Sequence, residues 1–268
     1  MDIHNPIYVP GHGLLAGKSV LITAAAGAGI GFAAALKAVE EGCRAIVISD
    51  IHEGRLAESV AKLKEKTGLD AVYGQTCNVA VEEDVQALID FAEDKLNGVD
   101  VLINNAGLGT TKALIEMEDP EWMKVIDVTL NGTMRMTRYM MKVMKARADS
   151  GNKSGGAIVN NASVLGWRAQ KEQAHYAAAK AGVMALTRCA ALEAAEFGVR
   201  INAVSPSLCV HPMLKKSAPE ELLAELEGKE AYGRGAEAWE VANIMMFLAS
   251  DYSSYLTGEN ISCSSQHA

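Results

Sequence analysis

The chain has 268 residues, of which 49% are hydrophobic and 22% charged, with a formal net charge of −8, a mean hydropathy of +0.07 and a pI near 5.3. That length suits one α/β domain, since such folds routinely run undivided to roughly 250 residues. The acidic balance gives no electrostatic footing for nucleic acid or an anionic membrane, and no apolar run reaches the roughly 18 residues of a membrane span, which leaves small-molecule chemistry.

The start, Met1-Asp2-Ile3-His4-Asn5-Pro6, lacks the basic head and apolar core of a signal peptide, so a cytoplasmic location is expected. Residues 1–17, with Pro6, Pro10 and three glycines, read as an extended arm before a single domain over 18–268. Ser19-Val20-Leu21-Ile22-Thr23 is predicted as the first strand, and Gly31 to Glu41 as a helix stopped by Gly42. Between them lies Ala24-Ala25-Ala26-Gly27-Ala28-Gly29-Ile30-Gly31, where glycines at a strand-to-helix turn let backbone N–H groups approach a pyrophosphate. A second strand, 44–50, ends on Asp50, whose carboxylate can accept from both hydroxyls of an adenosine ribose and would repel a 2′-phosphate. No Arg or Lys lies in the Gly-rich turn to offset that repulsion, so NAD(H) is expected over NADP(H).

The alternation continues with a helix near 53–66, a strand at 71–76, a helix near 82–96 and the strand Val99 to Asn104. Near-continuous apolar strands separated by helices predict a doubly wound, parallel, Rossmann-like α/β sheet covered on both faces. Further strands are expected at 157–162, 199–205 and 259–263, with long helices at about 120–147 and 175–197. The first long helix carries Met134, Met136, Met140, Met141 and Met144, either as core or as subunit contact. Residues 207–232, with Pro212, Pro219 and Lys215-Lys216, break the rhythm and read as a substrate lid. The five cysteines, Cys43, Cys77, Cys189, Cys209 and Cys263, have no paired spacing, which suggests buried apolar side chains rather than disulfides or a metal site.

Chemistry is concentrated in Ser163, Tyr176 and Lys180. A four-residue step on a helix puts Tyr176 and Lys180 on one face, and an ammonium beside a phenol favours the phenolate over its ordinary value near about 10. Such a pair can exchange a proton with a carbinol oxygen, and Ser163 can add a third hydrogen bond.

The Gly-rich turn, Asn104-Asn105-Ala106-Gly107, Ser163, Tyr176/Lys180 and Arg200-Ile201-Asn202-Ala203-Val204-Ser205-Pro206 together resemble the short-chain dehydrogenase/reductase family from about Gly17 to Gly258. The resemblance implies strand order 3-2-1-4-5-6-7, a homotetramer or homodimer built on the two long helices, and hydride transfer between nicotinamide and an alcohol or ketone carbon. It gives Tyr176 as acid/base, Lys180 as the residue that lowers its pKa and binds the nicotinamide ribose, and Ser163 as the group that orients the substrate oxygen. Along the cofactor cleft it places Gly27, Gly29, Ile30, Gly31, Asp50, Ile51, Asn78, Val79, Asn105, Ala106, Gly107, Pro206, Cys209 and His211. Thr129 stands where the family has an asparagine that holds a relay water; its hydroxyl offers a substitute.

Other departures are Ala24 for the first glycine, Asn78 for an aspartate, Ser207 for a glycine, His211 for a threonine, and Cys263-Ser264-Ser265-Gln266 for Val-Asp-Gly-Gly. Gly11-His12-Gly13-Leu14-Leu15, the segment 160–170 and the tail from Ser250 are similar to a narrower group, the actinobacterial steroid-catabolic reductases of hydroxy-hydrindanone carboxyl-CoA thioesters. Trp167 and Leu165 suit an apolar wall, and Arg168, Lys171, Lys215 and Lys216 suit CoA phosphates. Two alternatives stay open: a 3-oxoacyl thioester reductase, and a dinucleotide-binding regulatory protein that has lost turnover.

Overall fold

The computed structural model describes residues 3–151, 155–217 and 220–265, without the side chains of Met213, Lys216 and Ser217. Pro219, Gln266 and the Lys216 side chain, singled out above, lie outside the described residues.

Seven strands form one parallel sheet in the order β3-β2-β1-β4-β5-β6-β7: β1 Ser19–Ile22, β2 Ala45–Asp50, β3 Val72–Thr76, β4 Val101–Asn104, β5 Gly156–Asn161, β6 Val199–Pro206 and β7 Asn260–Cys263. Both faces are covered, so alternate residues of one strand enter different cores. Val20 and Ile22 join the layer of α1 (Ile30–Glu40), α2 (Glu53–Thr67) and α9 (Ala238–Ala249), whereas Leu21 faces α3 (Glu82–Leu96), α5 (Gly132–Asp149) and α6 (Ala174–Ala195). Strand β1 pairs with β2 on one side and β4 on the other, so the order reverses there and a crevice opens beyond the carboxyl ends of β1 and β4.

Two expectations needed correction, one on a long helix and one on the cysteines. The long helix over 120–147 is interrupted: α4 (Asp119–Ile126) passes through a wide π-type turn, Asp127–Asn131, into α5. From the first turn of α5 the Thr133 hydroxyl donates back to the Thr129 carbonyl at 2.8 Å, a bond of the kind that bends helices. The expected lid at 207–232 contains two short helices, α7 (Pro212–Ser217) and α8 (Glu220–Glu227). Of the cysteines, Cys43, Cys77 and Cys209 are buried and Cys263 is half-buried, but Cys189 is exposed on α6. The methionine stripe resolves toward core, with Met136, Met140 and Met144 buried against α3 and the sheet.

The N-terminal segment lies along α1 and α9. Glu41 accepts from the N–H groups of His12 and Leu14 at 2.7 and 3.0 Å. Buried Lys37 donates to the Val9 carbonyl, and Arg234 Nε reaches the Ile3 carbonyl at 2.7 Å.

Candidate active site

The Gly-rich turn leaves β1 through Ala24, which takes a left-handed φ of +48°, and turns again at Gly27 with φ +99°. A left-handed alanine costs about 1 kcal/mol or more. Helix α1 then starts at Ile30 with Gly29 as N-cap and no side-chain cap, so its first N–H groups point into the crevice uncapped. A Cβ on Gly31 would lie 2.4 Å from both the Ala24 carbonyl oxygen and Asn105 Nδ2. Gly31 therefore lets α1 pack directly on the turn and on Asn105, the close helix–strand approach that a dinucleotide-binding turn requires.

Asp50 ends β2 almost fully buried. Its Oδ1 accepts from the His52 N–H at 3.0 Å and from Arg55 at 2.8 Å, which leaves Oδ2 to face a ribose. Arg55 was missed in the sequence because it sits one turn into α2 rather than in the Gly-rich turn. Ile51 is 56% exposed beside Asp50, an apolar face suited to adenine. The Asn78 side chain accepts from the Ala80 N–H at 3.1 Å, while Val79 is buried beneath Gly132, whose added Cβ would meet it at 2.7 Å. The Val79 side chain is thus core, and only its backbone can serve a cofactor.

On the other side of the crevice, the Thr23 hydroxyl accepts from the N–H groups of Asn105 and Ala106, both at 3.0 Å. Asn105 Nδ2 donates to the Thr23 and Ala24 carbonyls at 3.2 and 2.9 Å, which ties the β4 loop to the Gly-rich turn. The Thr129 hydroxyl accepts from the Leu108 N–H at 3.0 Å and donates to the Leu108 carbonyl at 3.2 Å. Its one proton is committed there, so Thr129 clamps the loop and has no proton left to give a relay water.

The expected catalytic residues come together. Ser163 follows β5, and its hydroxyl accepts from the Leu165 N–H at 3.2 Å and hydrogen-bonds the Tyr176 phenol. One helical turn after Tyr176, Lys180 is buried, donates to the Asn161 carbonyl at 2.5 Å, and holds its Nζ 5.5 Å from the Tyr176 ring centre. An added Cβ on Gly107 would come within 3.4 Å of that Nζ. The charge balance differs from expectation. Burial raises the Tyr176 phenol more than the Ser163 hydrogen bond lowers it, and burial brings Lys180 down to about 7. Desolvation sets both directions in the free site because both charged forms lose water there.

Replacing Lys180 with methionine tests this balance. The unfolded lysine holds its proton up to 10.5 and the folded one only to about 7. Across that window the unfolded chain binds more protons, so native stability rises with pH. The Tm of Lys180→Met relative to the native protein is therefore expected to stand higher at about pH 7 than at about pH 10. An offset independent of pH would show that Lys180 stays protonated when folded.

Asn161, unremarked in the sequence beyond its motif, also connects outward: its Nδ2 donates to Asn105 Oδ1 at 3.0 Å, linking the lysine's acceptor strand to the dinucleotide loop. Pro206 ends β6, buried. His211 accepts from the Leu214 N–H at 3.4 Å and lies across from Gly29, whose added Cβ would sit 4.0 Å from Nδ1. That places His211 at the crevice. Cys209 is not so placed: its thiol is packed in the α1/α9 core, and burial pushes it up to about 12. Only the Cys209 backbone, bridged to Ala236, is available to the cleft.

Residues 24–265 match the family described as enoyl-(acyl carrier protein) reductase. A crystal structure of a short-chain dehydrogenase from Mycobacterium smegmatis superposes with a TM-score of 0.87 at 52% identity, covering 99% of this chain and 100% of that one. The chain belongs to the short-chain dehydrogenase/reductase family. As a member it is an oxidoreductase acting on alcohol or ketone groups with a nicotinamide dinucleotide. Among similar family members, the "(5R,7aS)-5-hydroxy-7a-methyl-1-oxo-2,3,5,6,7,7a-hexahydro-1H-indene-carboxyl-CoA reductase" of Mycobacterium tuberculosis is 56% identical over 98% of this chain and 97% of its own. The cis-4-hydroxycyclohexanecarboxylate dehydrogenase of Sinomonas cyclohexanicum is 37% identical over 90% of this chain and 93% of its own. Among the described residues no helix is long and apolar enough to cross a membrane.

Proposed function

We propose that this short-chain dehydrogenase/reductase interconverts a ring alcohol and ketone on a bicyclic hydrindanone carboxyl-CoA thioester, using NAD(H). The carrying observation is the 56% identity, spread over nearly the whole of both chains, with a reductase named for that substrate. The second relative's name, a ring hydroxy acid dehydrogenase, points to the same alicyclic alcohol. Residues 207–232 act as the lid over this substrate. Trp167, 47% exposed after Ser163, supplies an apolar wall, and exposed Lys171 and Lys215 suit CoA phosphates, while Arg168 is turned toward Ser264 at 3.5 Å.

The dinucleotide supplies or accepts the hydride. Gly27, Gly29 and Gly31, around the start of α1, would hold its pyrophosphate, Asp50 its adenosine ribose, and Lys180 with Tyr176 its nicotinamide ribose. In reduction, Ser163 would orient the carbonyl oxygen and Tyr176 would give it a proton. Oxidation runs the same proton back onto Tyr176. NAD(H) is favoured because the free Oδ2 of buried Asp50 would face a 2′-phosphate, and Arg55, the cation paired with it, is already neutralised by Oδ1. Apolar Leu192, 77% exposed on α6, and fully exposed Tyr255 support assembly as a homotetramer or homodimer. The regulatory reading loses its ground, since the family and the named relatives are enzymes.

The test is an assay of NADH and NADPH oxidation on ketones as free acids and as CoA thioesters, both bicyclic and acyclic 3-oxoacyl. Rapid turnover confined to NADH with the bicyclic thioester is expected. Preference for the acyclic thioester would move the assignment to a 3-oxoacyl reductase, and preference for NADPH would overturn the role given to Asp50.

A further inference from the structure

Resting on the role given to Tyr176 above, we infer that the His175–Thr110 pair is a latch that holds the β4 loop flat on the catalytic tyrosine, which makes His175 a positioning residue for proton transfer. The loop contains Gly107-Leu108-Gly109, two glycines in three residues, and such a segment has much backbone freedom to lose on ordering. It nonetheless lies directly against the acid/base. An added Cβ on Gly109 would stand 3.3 and 3.4 Å from two ring carbons of Tyr176, close enough that the ring would have to give by a few tenths of an ångström.

Pins on both flanks hold it. Thr129 clamps Leu108 from one side. From the other, His175 Nε2 and the Thr110 hydroxyl are 2.7 Å apart, Gln173 donates to Thr111 at 3.2 Å, and the Lys112 N–H donates to the Glu172 carbonyl at 3.0 Å. Glu172 takes a left-handed φ of +65° to make that last bond. His175 is fully buried, as Thr129 is, and differs from the other pins in being adjacent in the chain to Tyr176. Its ring also has an unmet cost: Nδ1 is buried with no partner in either tautomer. A leucine would fill the same space without that cost, so what the imidazole adds here is the bond its other nitrogen makes. With Nε2 on Thr110, Gly109 is held on the ring, and that face of Tyr176 is closed to water. Without it, the loop can lift, and the phenol moves both in position and in solvation.

The experiment uses the full chain with tyrosine labelled at 13Cζ, following the Tyr176 signal through a pH titration and identifying it by its loss in Tyr176→Phe. In His175→Leu and in Thr110→Val the titration midpoint is expected to fall toward about 10, because lifting the loop rehydrates the phenolate. The double variant should fall no further than either single one, since both remove the same bond. With the bicyclic thioester, kcat should drop about tenfold or more while KM and the NADH Kd hold within about twofold. His175→Gln, whose amide nitrogen can occupy the place of Nε2, should restore both readouts. A Tyr176 midpoint unchanged in both single variants, or effects that add in the double one, would overturn the latch. Thr110→Val alters an exposed loop residue and keeps the test open if His175→Leu does not fold, and the titration decides it even without turnover. Full turnover in Tyr176→Phe would instead overturn the assignment beneath it.

Discussion

Tyr176→Phe is expected to lower kcat by roughly a thousandfold while leaving the dinucleotide bound, because proton transfer by a placed side chain contributes about 10²–10⁴ in rate. The substitution deletes one oxygen and keeps the ring, 3.3 Å from where a Cβ on Gly109 would stand, so the loop should stay where it is. Ser163 loses a partner but keeps the Leu165 N–H at 3.2 Å. Dinucleotide affinity should weaken by no more than about fivefold, the worth of one neutral hydrogen bond of about 1 kcal/mol. Lys180 is expected not to take over. It is buried, already donates to the Asn161 carbonyl at 2.5 Å, and stands 5.5 Å from the ring centre. Single-turnover oxidation of NADH by the ketone, set beside dinucleotide binding followed by fluorescence, separates these effects. Retained kcat would move the proton to Ser163 or solvent.

The sheet was legible in the sequence because parallel strands buried on both faces must be apolar throughout, and Val20-Leu21-Ile22 and Ile46-Val47-Ile48 are. Ser163, Tyr176 and Lys180 were legible because two of them lie one helical turn apart and the third completes a family motif. What escaped depends on distant segments meeting. Asn161 reaches Asn105 across 56 residues, and Thr23 collects N–H groups from residues more than 80 positions away. The wide turn at 127–131 escaped because its residues have ordinary helical patterning; what distinguishes it is Thr129 bonding to Leu108, an interaction with another segment. The sign of the Tyr176 shift was misjudged for a related reason. Spacing shows that a lysine is near, but burial, which in the free site sets the direction, is a property of the whole fold. Ala24 is a different case. Its departure from glycine was visible, yet the turn still adopts the left-handed conformation, and a second one follows at Gly27.

Gly31→Ala should weaken dinucleotide binding more than the loss of any single polar contact at this site. Its new methyl would have to occupy a point 2.4 Å from the Ala24 oxygen, 2.4 Å from Asn105 Nδ2 and 2.9 Å from the Ala25 Cα. Two of those three atoms are backbone, so no rotamer change relieves the contact. Ala24 cannot retreat cheaply: it is already held at φ +48°, and its carbonyl accepts from Asn105 at 2.9 Å. Relief must come from pushing the turn away from the β4 loop, which widens the crevice where α1 and Asn105 both have to reach one ligand. Overpacking of this kind typically costs about 1–3 kcal/mol of stability, so the variant should still fold, with a lowered Tm. Affinity for NADH should fall about a hundredfold or more, since a displacement near 1 Å spoils several backbone hydrogen bonds to the pyrophosphate together. Calorimetric titration with NADH alongside thermal unfolding separates the outcomes: a lowered Tm with unchanged affinity would mean that the turn yields without opening the crevice, and that the pyrophosphate is held elsewhere.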